Sequence, residues 1–155
     1  MYTTNFIYIA PSEVLNSLKK LFSVLKGENV NFQRAIGLTE DRQLKNTLMQ
    51  FVQASNQYAN ELKCQIESLA GGTEMDELAL NESQINDHFQ MKNSKEILEY
   101  CCNCEMRVLN AYREILNHSF VLKDLRGIIR YQLNEMLCSF LQFKMLKSSF
   151  RNNKK

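Results

Sequence analysis

The sequence predicts an all-α protein: a four-helix bundle over residues 12–148, made of two antiparallel helical hairpins joined by a long crossover. Apolar residues recur at spacings of three and four along four long stretches, as on the buried face of a helix. One proline and five glycines in 155 residues leave these stretches almost uninterrupted. The first and last connections are short, and short connections join antiparallel neighbours.

The composition fits one globular domain. The chain is 45% hydrophobic and 23% charged, and its formal charge of +2 is too small to indicate a nucleic acid partner. No stretch approaches the ~20 apolar residues of a membrane-spanning helix, so a membrane partner is not expected. The chain does not begin with a secretory signal pattern. We therefore expect a cytoplasmic protein whose five cysteines are reduced.

The first hairpin begins after an apolar arm. Residues 1–11 form this arm, which is apolar enough to dock onto a bundle face or a second subunit. Helix one is expected over residues 12–36, with Ser12 as the N-cap and Gly37 as the terminating glycine. Only a few residues separate it from the next helical stretch, which indicates an antiparallel neighbour.

The second helix leads into the long connection. Thr39 is the expected N-cap of a helix over residues 40–70, and Gly71 with Gly72 is a strong termination signal. Residues 72–92 are acidic and polar with a short apolar pattern, which predicts a crossover packed along the bundle.

The second hairpin completes the bundle. Asn93 or Ser94 is the expected N-cap of a helix over residues 94–117. A short break then leads into a fourth helix over residues 121–148. Residues 149–155 are a basic tail, and such tails are usually solvated.

Polar residues interrupt the inward-facing seams, and Glu105 is the clearest case. It lies in a repeat that is otherwise formed by Leu98, Cys101, Val108, Tyr112 and Ile115. A buried carboxylate is costly unless it is paired, hydrogen-bonded, protonated or bound to a metal. The other polar side chains expected to be buried are Asn29, Ser55, Tyr58 and Gln132. The expected partners of Glu105 are Gln132, Tyr58, Tyr112 or a basic side chain such as Arg130.

The positions of residues along the helix axes indicate which polar side chains can meet in the second hairpin. Reflecting helix three onto helix four across the turn near Ser119 puts Glu105 level with Asn134. Gln132 and Glu135 then lie within one turn of Glu105, so these side chains are expected to meet.

The same reflection in the first hairpin separates its polar residues. Reflection across Leu38 leaves Ser55 roughly 11 Å along the axis from the level of Asn29, at 1.5 Å per residue. Glu61 is farther still, so the first hairpin does not easily offer two ligands at one height.

Three groups of residues resemble a known family in order and spacing. They are Asn31–Ile36; Tyr58–Leu62 with Leu69–Gly72; and Ile97–Glu99 with Cys104–Glu105 and Ala111–Leu116. The chain resembles a bacterial family of uncharacterised four-helix-bundle proteins in the ferritin-like superfamily, from roughly Ser12 to Leu146. The resemblance implies a ferritin-like bundle but carries no activity.

The chain departs from this family at two positions. Where family members often have a glutamate in helix one, this chain has Asn29, with Glu28 beside it. Where they often have a histidine in helix four, it has Phe140. Both differences remove potential metal ligands.

A ferritin-like di-metal site needs converging carboxylates and Glu-x-x-His pairs. The chain has no such pair, and His88 and His118 fall in the crossover and at a helix end. An iron or manganese site would have to use the remaining carboxylates, which are Glu28, Glu61, Glu105 and Glu135.

The cysteine run raises a thiol-redox alternative. Cys101 and Cys104 share one helical face beside Cys102, whereas Cys64 and Cys138 are single and lie on other helices. A reactive thiol would need a helix N-terminus or nearby cations to lower its pKa. Small buried side chains are the default interpretation.

We therefore predict a non-enzymatic bundle without a cofactor, in a structural or protein-interaction role with a degenerate metal site. The alternatives are a ferritin-like di-metal protein and a thiol redox sensor. A homodimer is expected from the apolar arm and the long amphipathic helices, with any other protein partner unknown.

Overall fold

The computed structural model describes residues 11–70, 93–119 and 121–152, with the side chains of residues 151–152 excepted. Within these ranges every secondary-structure element is a helix. The elements are α1 (Ser12–Leu38), α2 (Arg42–Leu69), α3 (Ser94–Asn103), α4 (Glu105–Leu116) and α5 (Lys123–Asn152). The predicted arm up to residue 10, the predicted crossover over residues 72–92 and residues 153–155 lie outside the described residues.

Helices α3 and α4 are one helical rod with a single interruption at Cys104. The Cys104 amide donates to the Tyr100 carbonyl at 3.0 Å, and the Val108 amide donates to the Cys104 carbonyl at 3.2 Å. The backbone of Cys104 also stays in the right-handed helical region. The predicted third helix is therefore present, in two segments, and the described part of the chain forms four rods.

The first connection differs from prediction in its capping. Helix α1 continues through Gly37 to Leu38, and the N-cap of α2 is Asp41, whose Oδ1 accepts from the Leu44 amide at 2.8 Å. Thr39, the expected cap, instead accepts from the Asp41 amide and bonds to Ser94 at 2.7 Å.

The other helix ends fall close to the expected positions. The N-cap of α1 is Pro11, so Ser12 is the first helical residue rather than the cap. Asn93 caps α3 as predicted, because its side chain accepts from the Glu96 amide at 2.9 Å. Helix α5 begins at Lys123, two residues later than expected, and runs on to Asn152.

The four rods pack around one core. Helix α1 lies against α2 and α4, and α5 lies against α2, α3 and α4. Residues of increasing number along α1 contact residues of decreasing number on α2 and on the α3–α4 rod, so α1 is antiparallel to both of these neighbours. The pairs that establish this are Asn29–Ser55 and Phe32–Phe51 for α2, and Lys20–Glu114, Glu28–Arg107 and Thr39–Ser94 for the α3–α4 rod.

Four phenylalanines fill the core near the end where α1 meets α2. The rings of Phe32 and Phe51 lie 4.2 Å apart, and Phe143 meets Phe32 edge-on at 5.6 Å. Phe140 meets Phe51 edge-on at 5.6 Å. All four are buried, and these contacts join α1, α2 and α5. Among the described residues, no helix is long and apolar enough to cross a membrane.

Replacing Phe51 with alanine should lower the free energy of unfolding by about 3–5 kcal/mol, because it removes a buried ring and leaves a cavity. Met49, two residues away on α2 and 44% exposed, provides the matched control. Met49→Ala should change the unfolding free energy by less than about 0.5 kcal/mol. Urea denaturation followed by circular dichroism measures both, and equal losses would contradict this account of the core.

Candidate functional site

Among the residues that the structure describes, the most deeply buried carboxylate is that of Glu28, near the middle of α1. The residue is only 4% exposed. Its Oε2 accepts from the Tyr100 hydroxyl of α3 at 2.7 Å, and its Oε1 lies 2.7 Å from Nη2 of Arg107 on α4. Glu28 therefore ties α1 to both segments of the third rod.

Asn31 completes this group, which we call the Glu28 network: Glu28, Asn31, Tyr100 and Arg107. Asn31 lies one turn after Glu28, and its Nδ2 donates to the Tyr100 hydroxyl at 2.9 Å. The hydroxyl thus accepts from Asn31 and donates to Glu28. Among the described residues, Asn31 Oδ1 is buried without a hydrogen-bond partner.

Burial dominates the electrostatics of the Glu28 network. It raises the pKa of Glu28 above its ordinary value, although the Tyr100 hydroxyl and the Arg107 guanidinium both act to lower it. Burial and the neighbouring Glu28 carboxylate also raise the pKa of Tyr100 strongly. The tyrosine therefore keeps its proton and remains the donor.

Two cysteines lie beside the Glu28 network. Cys101 and Cys104 are buried, and the Cys104 thiol donates to the Cys101 carbonyl at 3.3 Å. Burial, reinforced by neighbouring thiols and Glu28, raises both pKa values well above the ordinary value. Cys102 is half-buried, and burial raises its pKa as well. All three thiols therefore hold their protons, the opposite of what a reactive thiolate needs.

The second polar group lies between α1 and α2. Asn29 Nδ2 donates to the Ser55 hydroxyl and to the Val52 carbonyl, each at 2.8 Å. Asn29 and Ser55 are both buried, as predicted. The expected axial separation of roughly 11 Å between them is wrong.

The register explains this error. The turn lies at residues 39–41 rather than at Leu38. In addition, each helical side chain lies over the turn N-terminal to its own Cα atom. In two antiparallel helices, both side chains of a contact tilt toward the N-terminus of their own helix. A residue of the first helix therefore contacts a residue farther along the second helix than reflection of the Cα positions predicts. Asn29 therefore reaches Ser55, which reflection of the Cα positions across Leu38 had put too far along the axis.

The third polar group centres on Gln132 of α5, which is fully buried as predicted. Its Oε1 accepts from the Tyr112 hydroxyl of α4 at 3.0 Å, and its Nε2 donates to Glu61 Oε2 of α2 at 2.9 Å. The Tyr58 carbonyl lies 3.4 Å from the same Nε2 atom. One amide thus links three rods.

The structure corrects the expected surroundings of Glu105. The side chain is 15% exposed and pairs with Lys144 of α5 at 2.7 Å, not with Gln132, Tyr58, Tyr112 or Arg130. Because α5 begins only at Lys123 and the side chains tilt as in the first hairpin, the level of Glu105 falls beyond Asn134. Glu105 is therefore at the edge of the α4–α5 contact, not inside the bundle.

The four carboxylates considered for metal binding have different surroundings. Glu28 faces Arg107 and Tyr100, Glu61 faces Gln132, and Glu105 faces Lys144. Glu135 is exposed. Burial of Tyr58 is the largest cause that raises the pKa of Tyr58 to about 12, and the nearby Glu135 carboxylate is the second largest. Within the described ranges, no three histidine, cysteine, aspartate or glutamate side chains form a group that could hold a metal.

The histidines occupy different settings. His88 lies outside the described residues. His118 Nε2 is 2.9 Å from the Ser17 hydroxyl, and the His118 carbonyl accepts from Arg126 Nη2 at 2.9 Å. Arg126 Nη1 also donates to the Leu116 carbonyl at 2.8 Å. His118 therefore belongs to the junction between α4 and α5 rather than to a ligand set.

The Glu28 network is the group that sequence reasoning did not assemble. A signal for it exists in the chain. Val24, Glu28, Asn31 and Ala35 follow one another at spacings of four and three, which defines a second buried face on α1. Tyr100, Cys104 and Arg107 repeat the pattern on the facing rod.

Comparisons with protein-family models, curated proteins and solved structures found no match for this chain. The groups centred on Glu28, Asn29 and Gln132 hold neighbouring rods together through hydrogen bonds and, at Glu28, an ion pair with Arg107.

Removing the hydroxyl of Tyr100 should destabilise the fold. In Tyr100→Phe, Glu28 Oε2 loses its donor in a buried setting, which should lower the free energy of unfolding by about 1–3 kcal/mol. Ser68→Ala provides the control, because it removes a hydroxyl group from an exposed residue of α2. Chemical denaturation compares the two variants. A Tyr100→Phe protein as stable as the control would show that the hydroxyl contributes nothing.

Glu28 should make stability depend on pH. Because its pKa is raised on folding, the folded state binds this proton more tightly than the unfolded state. Its contribution to stability is thus fully present below the ordinary pKa of 4.5 and is lost as pH rises through the folded-state pKa. The unfolding free energy of the wild type should fall over this range relative to that of Glu28→Gln. Urea titrations of both proteins at a series of pH values measure the gap, and a gap independent of pH would refute the assignment.

Proposed function

We propose that this protein is a non-enzymatic, ferritin-like helical bundle in a structural or protein-interaction role, with a degenerate metal site that holds no metal. The observation that carries the proposal is the separation of the candidate ligands. Glu28, Glu61 and Glu105 each bond to a different partner on a neighbouring rod. Carboxylates that share two metal ions would instead have to converge on one place in the core.

The helix directions support the ferritin-like part of the proposal. Both α2 and the α3–α4 rod run antiparallel to α1, so α2 ends at the opposite end of the bundle from the start of α3. Two antiparallel hairpins in which the second helix ends at the opposite end of the bundle from the start of the third are the arrangement of ferritin-like folds.

The surroundings of the core cysteines favour a structural role over redox sensing. Cys101 and Cys104 are buried, with raised pKa values. The five cysteines are free thiols, consistent with the reducing cytoplasm that we propose as the location.

Metal analysis tests the proposal directly. Protein purified without chelators and then titrated with iron(II) or manganese(II) should bind neither ion stoichiometrically. The same titration of Glu61→Gln should give the same weak binding, because Glu61 is already engaged by Gln132. Stoichiometric binding by the wild type that Glu61→Gln or Glu28→Gln abolishes would overturn the proposal in favour of a di-metal protein.

A further inference from the structure

A second seam runs along the outer face of α5. Its residues follow one another at alternating spacings of four and three, and every one is exposed: Gly127, Tyr131, Asn134, Cys138, Leu141, Met145 and Ser148. This is the spacing at which a helix of a two-stranded coiled coil meets its partner. The core-facing side of α5 is a different set, which includes Ile129, Met136, Phe140 and Phe143.

Three residues of this outer seam carry large, exposed apolar side chains. Tyr131, Leu141 and Met145 are 57%, 56% and 64% exposed, and Leu137 beside them is 38% exposed. Single exposed apolar residues are ordinary, but several on one helical face indicate an interaction site.

We propose that a second copy of this chain covers the outer seam, with the two α5 helices antiparallel about a two-fold axis between Cys138 and Leu141. This inference rests on the proposed interaction role and names its partner. The arrangement is self-complementary, as a two-fold interface requires. Across the axis it places Leu141 against Cys138, Met145 against Asn134, and Tyr131 against Ser148. Each large side chain then meets a smaller one.

The extent of the face suits a dimer. A helix of 30 residues is about 45 Å long and about 10 Å wide with its side chains, so pairing covers roughly 450 Å² on each subunit. The adjoining groove between α2 and α5 extends this surface, and its lining includes Gln43, Asn46, Gln142 and Met145. The α5 pairing thus buries roughly 900 Å² in total, which lies at the small end of specific interfaces and below the about 1,600 Å² of a standard one.

The charges permit this pairing. The formal charge of the chain is only +2, so two copies repel each other weakly. Lys144 flanks the seam, and its charge is matched by Glu105 of the same chain. Antiparallel α5 helices also set the positive end of one helix dipole beside the negative end of the other.

Light scattering tests the interface through matched substitutions. The wild type should have twice the 18.1 kDa mass of one chain. Leu141→Glu combined with Met145→Glu should reduce the mass to that of one chain, because both carboxylates would be buried in the dimer. Met106→Glu is the control: Met106 is 58% exposed, lies on α4 and should leave the dimer intact. Circular dichroism checks that each variant folds.

Cross-linking locates the axis independently. A short homobifunctional maleimide should join two chains through Cys138, which lies less than one turn from the proposed axis. Cys138→Ser should lose this product. Cys64→Ser, which replaces the exposed cysteine of α2, should retain it.

The contrary outcomes separate this inference from the proposed function. A wild-type chain that is monomeric at every concentration, or a dimer that Met106→Glu dissociates and the double variant does not, overturns the α5 interface. Monomers that bind vesicles of anionic lipid through the seam would assign it to a membrane instead. Neither result bears on metal binding, whereas a dimer that binds iron stoichiometrically overturns the proposed function alone.

Discussion

The burial of one carboxylate, that of Glu28, constrains how α1 can sit against the third rod. Removing a carboxylate from water is unfavourable by several kcal/mol unless charges and donors replace the lost hydration. Here Arg107 and Tyr100 replace it, and they come from the two segments on either side of Cys104. A shift of α1 by one turn would separate Glu28 from both partners and leave a buried carboxylate unpaired. The free-energy cost of a shifted register is therefore larger than it would be with an apolar residue at this position.

Two further buried polar groups between rods act in the same way. Asn29 and Ser55 fix α1 against α2, while Gln132 joins α5 to α2 and α4. The apolar core between these groups supplies most of the stabilisation, but apolar contacts tolerate sliding. Buried hydrogen bonds do not, because a displaced donor or acceptor is left unpaired. Packing thus favours the bundle, and the polar pairs select one register within it.

The hydrophobic period was enough to predict four helices, their approximate ends and the burial of Asn29, Ser55, Tyr58 and Gln132. It could not place the partners. Helix phase tells which face is inward, but contacts across rods depend on axial register, which turn length and side-chain tilt shift by several residues. Glu105 illustrates the limit. Its phase is inward, yet it lies at the border of the face, where Lys144 can reach it from solvent.

The five cysteine thiols differ in burial, so their rates of chemical modification can report local opening of the bundle. Cys64 and Cys138 are exposed, Cys102 is half-buried, and Cys101 and Cys104 are enclosed. Cys64 is therefore open to an alkylating reagent at any moment, and Cys138 is open wherever a second copy does not cover it. Cys101 and Cys104 become accessible only when α3 and α4 separate from their neighbours. Their alkylation rate under native conditions would report how often the third rod detaches, a local fluctuation that whole-molecule unfolding does not resolve.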